Sequence, residues 1–161
     1  MSIGGAKILT ANRYRNEGRM VESVQMYLEA LDENDLDERS RFVAYYSLGN
    51  VFVLLGETKK SCRAWLDALK IQQGGSDRAT VALQVGTVFY KQAKFTEAVK
   101  AFRLAIEYDI PESKITRIAH QRLGIAIREK GAQTKFSTKK LVQRGARSPS
   151  IATVHSWIHN R

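Results

Sequence analysis

The 161 residues are 43% apolar and 26% charged, a globular balance that excludes a disordered chain, and two prolines with eleven glycines exclude a collagen-like one. The formal net charge of +10 lies entirely in the second half, because residues 1–76 carry ten basic and ten acidic side chains whereas residues 77–161 carry sixteen and six. The longest apolar run, Val51 to Leu55, excludes a membrane-spanning helix, which needs about 20 residues.

The N-terminus and the cysteine content predict a location inside the cell. The first residues, MSIGGAKILTANRYR, lack the apolar centre of a secretion signal. Cys62 is the only cysteine, which excludes an internal disulfide and a zinc site with several cysteine ligands and suits a reducing environment. We therefore expect a cytoplasmic protein, or a nuclear one if its source is eukaryotic.

Small residues recur along the chain at nearly constant spacing. Ala11, Gly49, Gly86 and Gly124 lie 38, 37 and 38 residues apart. Each is followed three positions later by a bulky residue, in order Tyr14, Phe52, Phe89 and Ile127. Farther along each of the first three units, an aromatic residue precedes an alanine by three positions, in the pairs Tyr27 and Ala30, Trp65 and Ala68, and Phe102 and Ala105. This regularity predicts a repeat architecture.

Each repeat unit is predicted to be an antiparallel pair of helices. In the second unit two sets of residues each fall on one helical face, namely Tyr45, Leu48, Gly49 and Phe52, and then Ser61, Trp65, Ala68 and Leu69. Gly56 lies between them and can adopt the left-handed conformation that ends a helix, and Gly18, Ala93 and Gly131 hold the matching place elsewhere. One such pair cannot bury its apolar face alone, so we expect the units to stack as a solenoid.

The second unit, Tyr45-x2-Leu48-Gly49-x2-Phe52 followed by Ser61-x3-Trp65 and Ala68, resembles the tetratricopeptide repeat. The third unit resembles it as well, the first does so more weakly, and the fourth does so only in its first helix. The resemblance covers about residues 5–131. It implies an all-α, right-handed α-solenoid of three repeats and a partial fourth with C-terminal capping helices. The repeats are expected at about residues 4–38, 42–75, 79–112 and 117–144.

The resemblance also implies a function. Members of this family bind an extended or helical peptide in a concave groove lined by the first helix of each unit, so we expect a non-enzymatic adaptor or assembly factor. The basic second half favours an acidic partner segment. Carried over in register, the groove positions are Asn12, Arg15, Tyr46, Asn50, Leu83, Thr87, Tyr90, Gln121 and Arg128, together with Ile8, Val53 and Ile125. The alternative role for each of these residues is ordinary surface or packing between helices.

No combination of residues predicts catalysis, a metal or a cofactor. Cys62 neighbours the packing position Ser61 and is expected to be a small apolar filler. His155 and His159 are four residues apart and could hold two corners of a metal site, but the tail carries no acid and no further cysteine. We therefore expect a protein that is not an enzyme.

Residues 132–161 depart from the repeat and are basic. Ser137, flanked by Phe136 and Leu141, predicts a short helix over about 137–144. Ser148 and Pro149 begin a second predicted helix, whose apolar face is Ile151, Val154, Trp157 and Ile158.

Two interpretations of this basic tail stay open. In one it caps the solenoid. In the other it is a DNA-binding helix-turn-helix whose basic side chains contact phosphate or an acidic partner, through Lys139, Lys140, Arg144 and Arg147. Whether the chain forms a homodimer through its edge helices also stays open.

Overall fold

A computed structural model describes residues 2–71 and 75–143, which form seven α-helices and no strand. The helices are α1 (Ile3–Asn16), α2 (Met20–Asp32), α3 (Glu38–Leu54), α4 (Thr58–Lys70), α5 (Ser76–Lys91), α6 (Phe95–Tyr108) and α7 (Lys114–Gln143). Consecutive helices pack against each other along the whole series, and α1 also touches α3 while α5 touches α7. This order of contacts is that of stacked helix pairs, so the predicted all-α solenoid is confirmed.

The hydrophobic core runs along the stack and crosses from each unit into the next. One cluster joins Ile8, Tyr27 and Ala30 of the first unit to Leu48 and Val51 of the second. The next clusters continue this packing from the second unit through α5 and α6 to α7. Because each cluster draws on two units, no helix pair buries its apolar face on its own.

The turns inside the first three units follow the sequence prediction. Gly18 and Gly56 have φ of 79° and 74°, and Ala93 takes the same left-handed conformation at 56°. In the first of these turns the amide of Arg19 donates to the carbonyl of Tyr14 at 2.8 Å and that of Gly18 to Arg15 at 3.1 Å. These two bonds are the pair that closes a helix with a left-handed residue, and the second and third units repeat them.

Two glycines allow the helices of a pair to approach closely. A Cβ atom added to Gly49 would overlap Nε1 of Trp65, and one added to Gly86 would lie 2.6 Å from the ring of Phe102. Both aromatic rings are buried. The small residue and the aromatic one are therefore complementary parts of a single contact, as the spacing predicted.

The fourth unit differs from the expectation at its turn and second helix. The sequence predicts that Gly131 ends a helix and that Ser137 begins a short one over about 137–144. Instead α7 continues through both positions to Gln143. Hydroxyl groups along it bond to carbonyls four residues earlier, from Thr134 to Lys130 at 3.0 Å and from Thr138 to Thr134 at 2.9 Å.

The physical reason lies at the position whose aromatic ring covers the glycine in the second and third units. The residue that corresponds to Trp65 and Phe102 in the fourth unit is Lys140, and it is exposed. A turn at Gly131 would therefore place a lysine, and not an aromatic ring, against Gly124. A single glycine within a helix costs only about 1 kcal/mol relative to alanine, so the helix continues.

No helix in the described part of the chain is long and apolar enough to cross a membrane. The predicted second helix of the basic tail lies outside the described residues, as do Arg144, Arg147, His155 and His159.

Candidate functional site

The first helices of the units form one side of the stack, and two adjoining cavities open there. The smaller has a volume of about 280 Å³, and its lining comes from α5, α6 and α7. It is lined by Thr87, Tyr90, Lys91, Phe102, Arg122 and Ile125. Aromatic and aliphatic surface thus forms its walls, with two cationic side chains among them.

The larger cavity has a volume of about 470 Å³ and reaches from α3 across α5 to α7. It is lined by Asn50, Val53, Leu54, Trp65, Gln84, Thr87, Val88, Lys91 and Arg122. Because Thr87, Lys91 and Arg122 line both cavities, the two form one continuous surface, which we call the first-helix groove.

Several residues predicted from the resemblance lie in this groove. Asn50, Thr87 and Ile125 each directly follow the glycine of their unit, and Val53 and Tyr90 follow it by four positions. These two register positions therefore face the groove in the second and third units. The partner-binding roles of these residues remain predictions.

In the first three units the register position three residues before the small residue faces the core instead. Ile8 is only 7% exposed and belongs to the first core cluster. Leu83 packs against two clusters. Tyr46 packs against another and stacks on Phe42 with ring centroids 6.4 Å apart. Gln121 is exposed at the same register. None of these four lines a groove cavity.

In the first unit the predicted polar residue has a partner within the chain. The hydroxyl of Tyr27 donates to the amide oxygen of Asn12 at 2.6 Å. Burial raises the pKa of that tyrosine hydroxyl, so it remains protonated and able to donate. Asn12 thus fixes the helix pair of the first unit. Arg15 is half-buried and Arg128 is exposed, and neither lines a groove cavity.

Sequence reasoning missed the groove's two cations, Lys91 and Arg122. Arg122 lies two residues before Gly124, a position that Gln84 occupies in the third unit. Lys91 lies five residues after Gly86, a position that Leu54 occupies in the second unit. Both register positions lie next to those carried over from the family pattern. The sequence signal that could have indicated them was the positive charge at these two register positions, one on α5 and one on α7.

Arg122 connects two of the helices that form the groove. Its guanidinium donates to the hydroxyl of Thr87 on α5, and that hydroxyl donates in turn to the carbonyl of Leu83 at 2.8 Å. No carboxylate of residues 2–71 and 75–143 forms an ion pair with Arg122 or Lys91. The groove therefore has positive charge that the described chain does not neutralise.

The tail candidates Lys139 and Lys140 are exposed on the last turns of α7. The described residues hold no group of three or more histidine, cysteine or acidic side chains placed to bind a metal. Cys62 is buried, and burial raises the pKa of its thiol, which disfavours the reactive thiolate. Its environment is that of a packing residue.

Comparison with known proteins identifies the fold. No family model and no curated protein matches the chain. BtubC of P. vanneervenii matches with a TM-score of 0.64 at 18% identity, over 92% of this chain and 66% of that protein, so this chain spans 66% of the length of BtubC. The TPR-like repeats of a Podosopora anserina protein match with a TM-score of 0.61 at 16% identity, over 89% and 74%.

MamA is a third similar structure, with a TM-score of 0.60 at 15% identity, over 92% of this chain and 79% of that one. At such identities the likeness concerns the fold. The chain has the all-α solenoid fold of tetratricopeptide-like repeat proteins, which confirms the sequence prediction.

Proposed function

We propose that this chain is a non-enzymatic interaction protein whose first-helix groove binds an acidic segment of a partner protein. The fold supports a protein-binding scaffold in general terms. The observation that carries the finer proposal is the pair of cations, Lys91 and Arg122, beside an apolar cavity and without a carboxylate partner among residues 2–71 and 75–143.

Charge defines one half of the recognition. Unpaired cations attract carboxylates during encounter, and a guanidinium in a partly dry groove forms stronger bonds to a carboxylate than to water. Arg122 is half-buried and already oriented by Thr87, so it loses little side-chain freedom when a partner carboxylate arrives. An acidic side chain is therefore the chemistry that these two helices fit.

Shape defines the other half. The smaller cavity is walled by Tyr90, Phe102 and Ile125, which offer apolar contact. An aliphatic or aromatic side chain inserted there would be removed from water, which contributes about 25 cal/mol for each Å² of apolar surface buried. The partner segment is thus expected to carry one bulky apolar residue flanked by Asp or Glu.

Fluorescein-labelled peptides test this proposal by anisotropy. One peptide has a central leucine within Asp and Glu, a second replaces the leucine with alanine, and a third replaces the acids with their amides. We expect the first to bind most tightly and Arg122→Glu to weaken it at least tenfold, since this variant reverses a contact worth about 1.5–3 kcal/mol. Lys91→Glu should weaken it less, because Lys91 is exposed and an exposed ion pair contributes about 0.2–1 kcal/mol. The matched control Lys100→Glu reverses an exposed charge on α6, outside the groove, and should leave binding unchanged.

Equal binding of the three peptides, or equal loss with Lys100→Glu, would place recognition elsewhere. Unfolding of a variant would also abolish binding. Each variant is therefore compared with the native chain by circular dichroism before titration.

A second candidate function is nucleic-acid binding through the exposed end of α7. From Arg128 to Lys140 every residue is exposed, and this stretch carries five cations and one acid. Arg128, Lys135 and Lys139 share one helical face, at i, i+7 and i+11. Titration of duplex DNA over a salt series tests it, because neutralised phosphates give affinity that falls steeply with salt. Lys135→Gln with Lys139→Gln should flatten that slope, while Arg122→Glu should not.

A further inference from the structure

The fourth unit has an uncovered position that its predecessors cover. Gly49 and Gly86 lie under the rings of Trp65 and Phe102, whereas a Cβ atom added to Gly124, in the same register, would meet nothing within 4 Å. The surface around Gly124 is therefore open within the described part of the structure.

The neighbouring bulky position is open as well. Phe52 and Phe89 are partly buried and pack against core clusters. Ile127 stands in the same register but is 47% exposed. Gly124 and Ile127 lie three residues apart on one side of α7, whereas Ile125 faces the groove. We call the pair Gly124 and Ile127 the open face.

The chain's own later sequence offers side chains suited to this face. Residues 148–160 contain apolar residues at helical spacing, namely Ile151, Val154, Trp157 and Ile158. The same stretch contains no Lys, Arg, Asp or Glu, so the basic surface of α7 does not repel it. Trp157 is the only tryptophan besides Trp65, which covers the equivalent glycine in the second unit.

We propose that residues 148–160 fold back along α7 and place Trp157 over the open face. The reach is sufficient. The distance along α7 from Gly124 to Gln143 is about 28 Å at 1.5 Å per helical residue. Six extended residues span about 20 Å, and eight further helical residues add about 12 Å. The tail would then supply the aromatic cover that Lys140 cannot, after a longer connection than in the other units.

This docking makes the tail part of the folded stack. The apolar residues of the predicted second tail helix are then turned inward, where a DNA groove could not reach them. The proposal is independent of the groove's acidic ligand, since neither Gly124 nor Ile127 lines a groove cavity.

Tryptophan fluorescence tests the docking in the full chain. In a Trp65→Phe background only Trp157 emits, and we expect blue-shifted emission with low quenching by acrylamide. Adding Ile127→Asp should shift the emission to the red and raise quenching to that of free tryptophan amide. The matched control Phe136→Asp alters an exposed apolar residue on another side of α7 and should change neither quantity.

Emission of an exposed indole in the background chain, or no response to Ile127→Asp, would overturn the proposal. A blue shift that appears only on concentrating the protein would overturn it too, because the cover would then come from a second copy.

A thermal-unfolding cycle keeps the test valid if Trp65→Phe does not fold. Ile127→Asp and Trp157→Ala are made singly and together in the native chain. The double variant should lower the thermal unfolding midpoint by less than the sum of the two single losses, as for residues in contact. Strict additivity would contradict the contact.

Discussion

Arg78 donates a hydrogen bond from its guanidinium to the carbonyl oxygen of Leu69 at 2.6 Å, joining the first helix of the third unit to the end of α4. Arg41, at the same register of the second unit, bonds in the same way to the carbonyls of Leu31 and Glu33, at 3.0 and 3.2 Å. In the fourth unit Thr116 bonds to the carbonyl of Ile110 at 3.0 Å. In units two to four, one position therefore fixes the connection to the unit before it, through a carbonyl at or just after the end of the preceding helix, where carbonyls lack partners within the helix.

The bond from Arg78 should contribute measurably to stability. Arg78→Met keeps most of the apolar stem but removes the donors and the contact of the guanidinium with the ring of Tyr108, 4.2 Å away. We expect the free energy of unfolding in urea to fall by about 2 kcal/mol. Arg39→Met is the matched control, because Arg39 is an exposed arginine of the first turn of α3. A loss no larger than that of the control would show that the connection is held by other contacts.

Alanine at the two close-approach glycines should destabilise the protein despite its better helix propensity. At Gly49 and Gly86 the added methyl group would overlap the ring of Trp65 or Phe102, and overpacking of this kind costs about 1–3 kcal/mol. Gly131→Ala is the control, because it adds the same methyl group to a helix where nothing lies within 4 Å. Urea denaturation should show losses for the first two variants and none for the third. Equal behaviour of all three would mean that the rings move aside freely.

Replacing Ala93 with glycine should stabilise the protein. Its φ of 56° is the conformation that Gly18 and Gly56 adopt at the same place in their units. An L-residue in this region costs about 1 kcal/mol, so Ala93→Gly should raise the thermal midpoint although glycine has more freedom when unfolded. Gly56→Ala should lower it by a similar amount. A lower midpoint for Ala93→Gly would show that the unfolded-state effect is the larger one.

Acid should weaken the connection between α6 and α7. The hydroxyl of Ser113 donates to the Asp109 carboxylate and lowers its pKa, and Thr116 adds a bond at 3.2 Å. A pKa lowered by folding contributes stability that is complete above the unfolded value, about 3.9, and is lost as the pH falls through the folded value. Urea midpoints should therefore fall below about pH 4, and Asp109→Asn should reduce that dependence.

The control for this experiment is Glu107→Gln, which neutralises an exposed carboxyl group of α6. It should leave the acid dependence as it is in the native chain. A profile equally changed by both variants would mean that overall charge, rather than the Asp109 bonds, governs stability in acid.

The repeat was predictable from sequence because its signals are local. Gly49 and Trp65 belong to one helix pair, and their contact follows from the spacing alone. The packing of Ile8 and Leu83 against the core was not predictable in this way, because it depends on how one unit is rotated relative to the next. The roles of Arg41 and Arg78 were missed for the same reason, since each bonds to the unit before its own.

The continuation of α7 past Gly131 also differs from the sequence prediction, and it leaves the far end of this helix without packing. The helix packs on α5 and α6 through its first half, with Ala119 and Ala126 buried, but residues 127–140 are all exposed. Helical hydrogen bonds without packing are marginal in water, so amides of residues 134–143 should exchange within about tenfold of the rate of an unstructured chain. Amides of residues 116–126 and of the buried face of α5 should be strongly protected in the same hydrogen-exchange measurement. Uniform protection along α7 would contradict this expectation, because it would require something to pack against the far end of the helix.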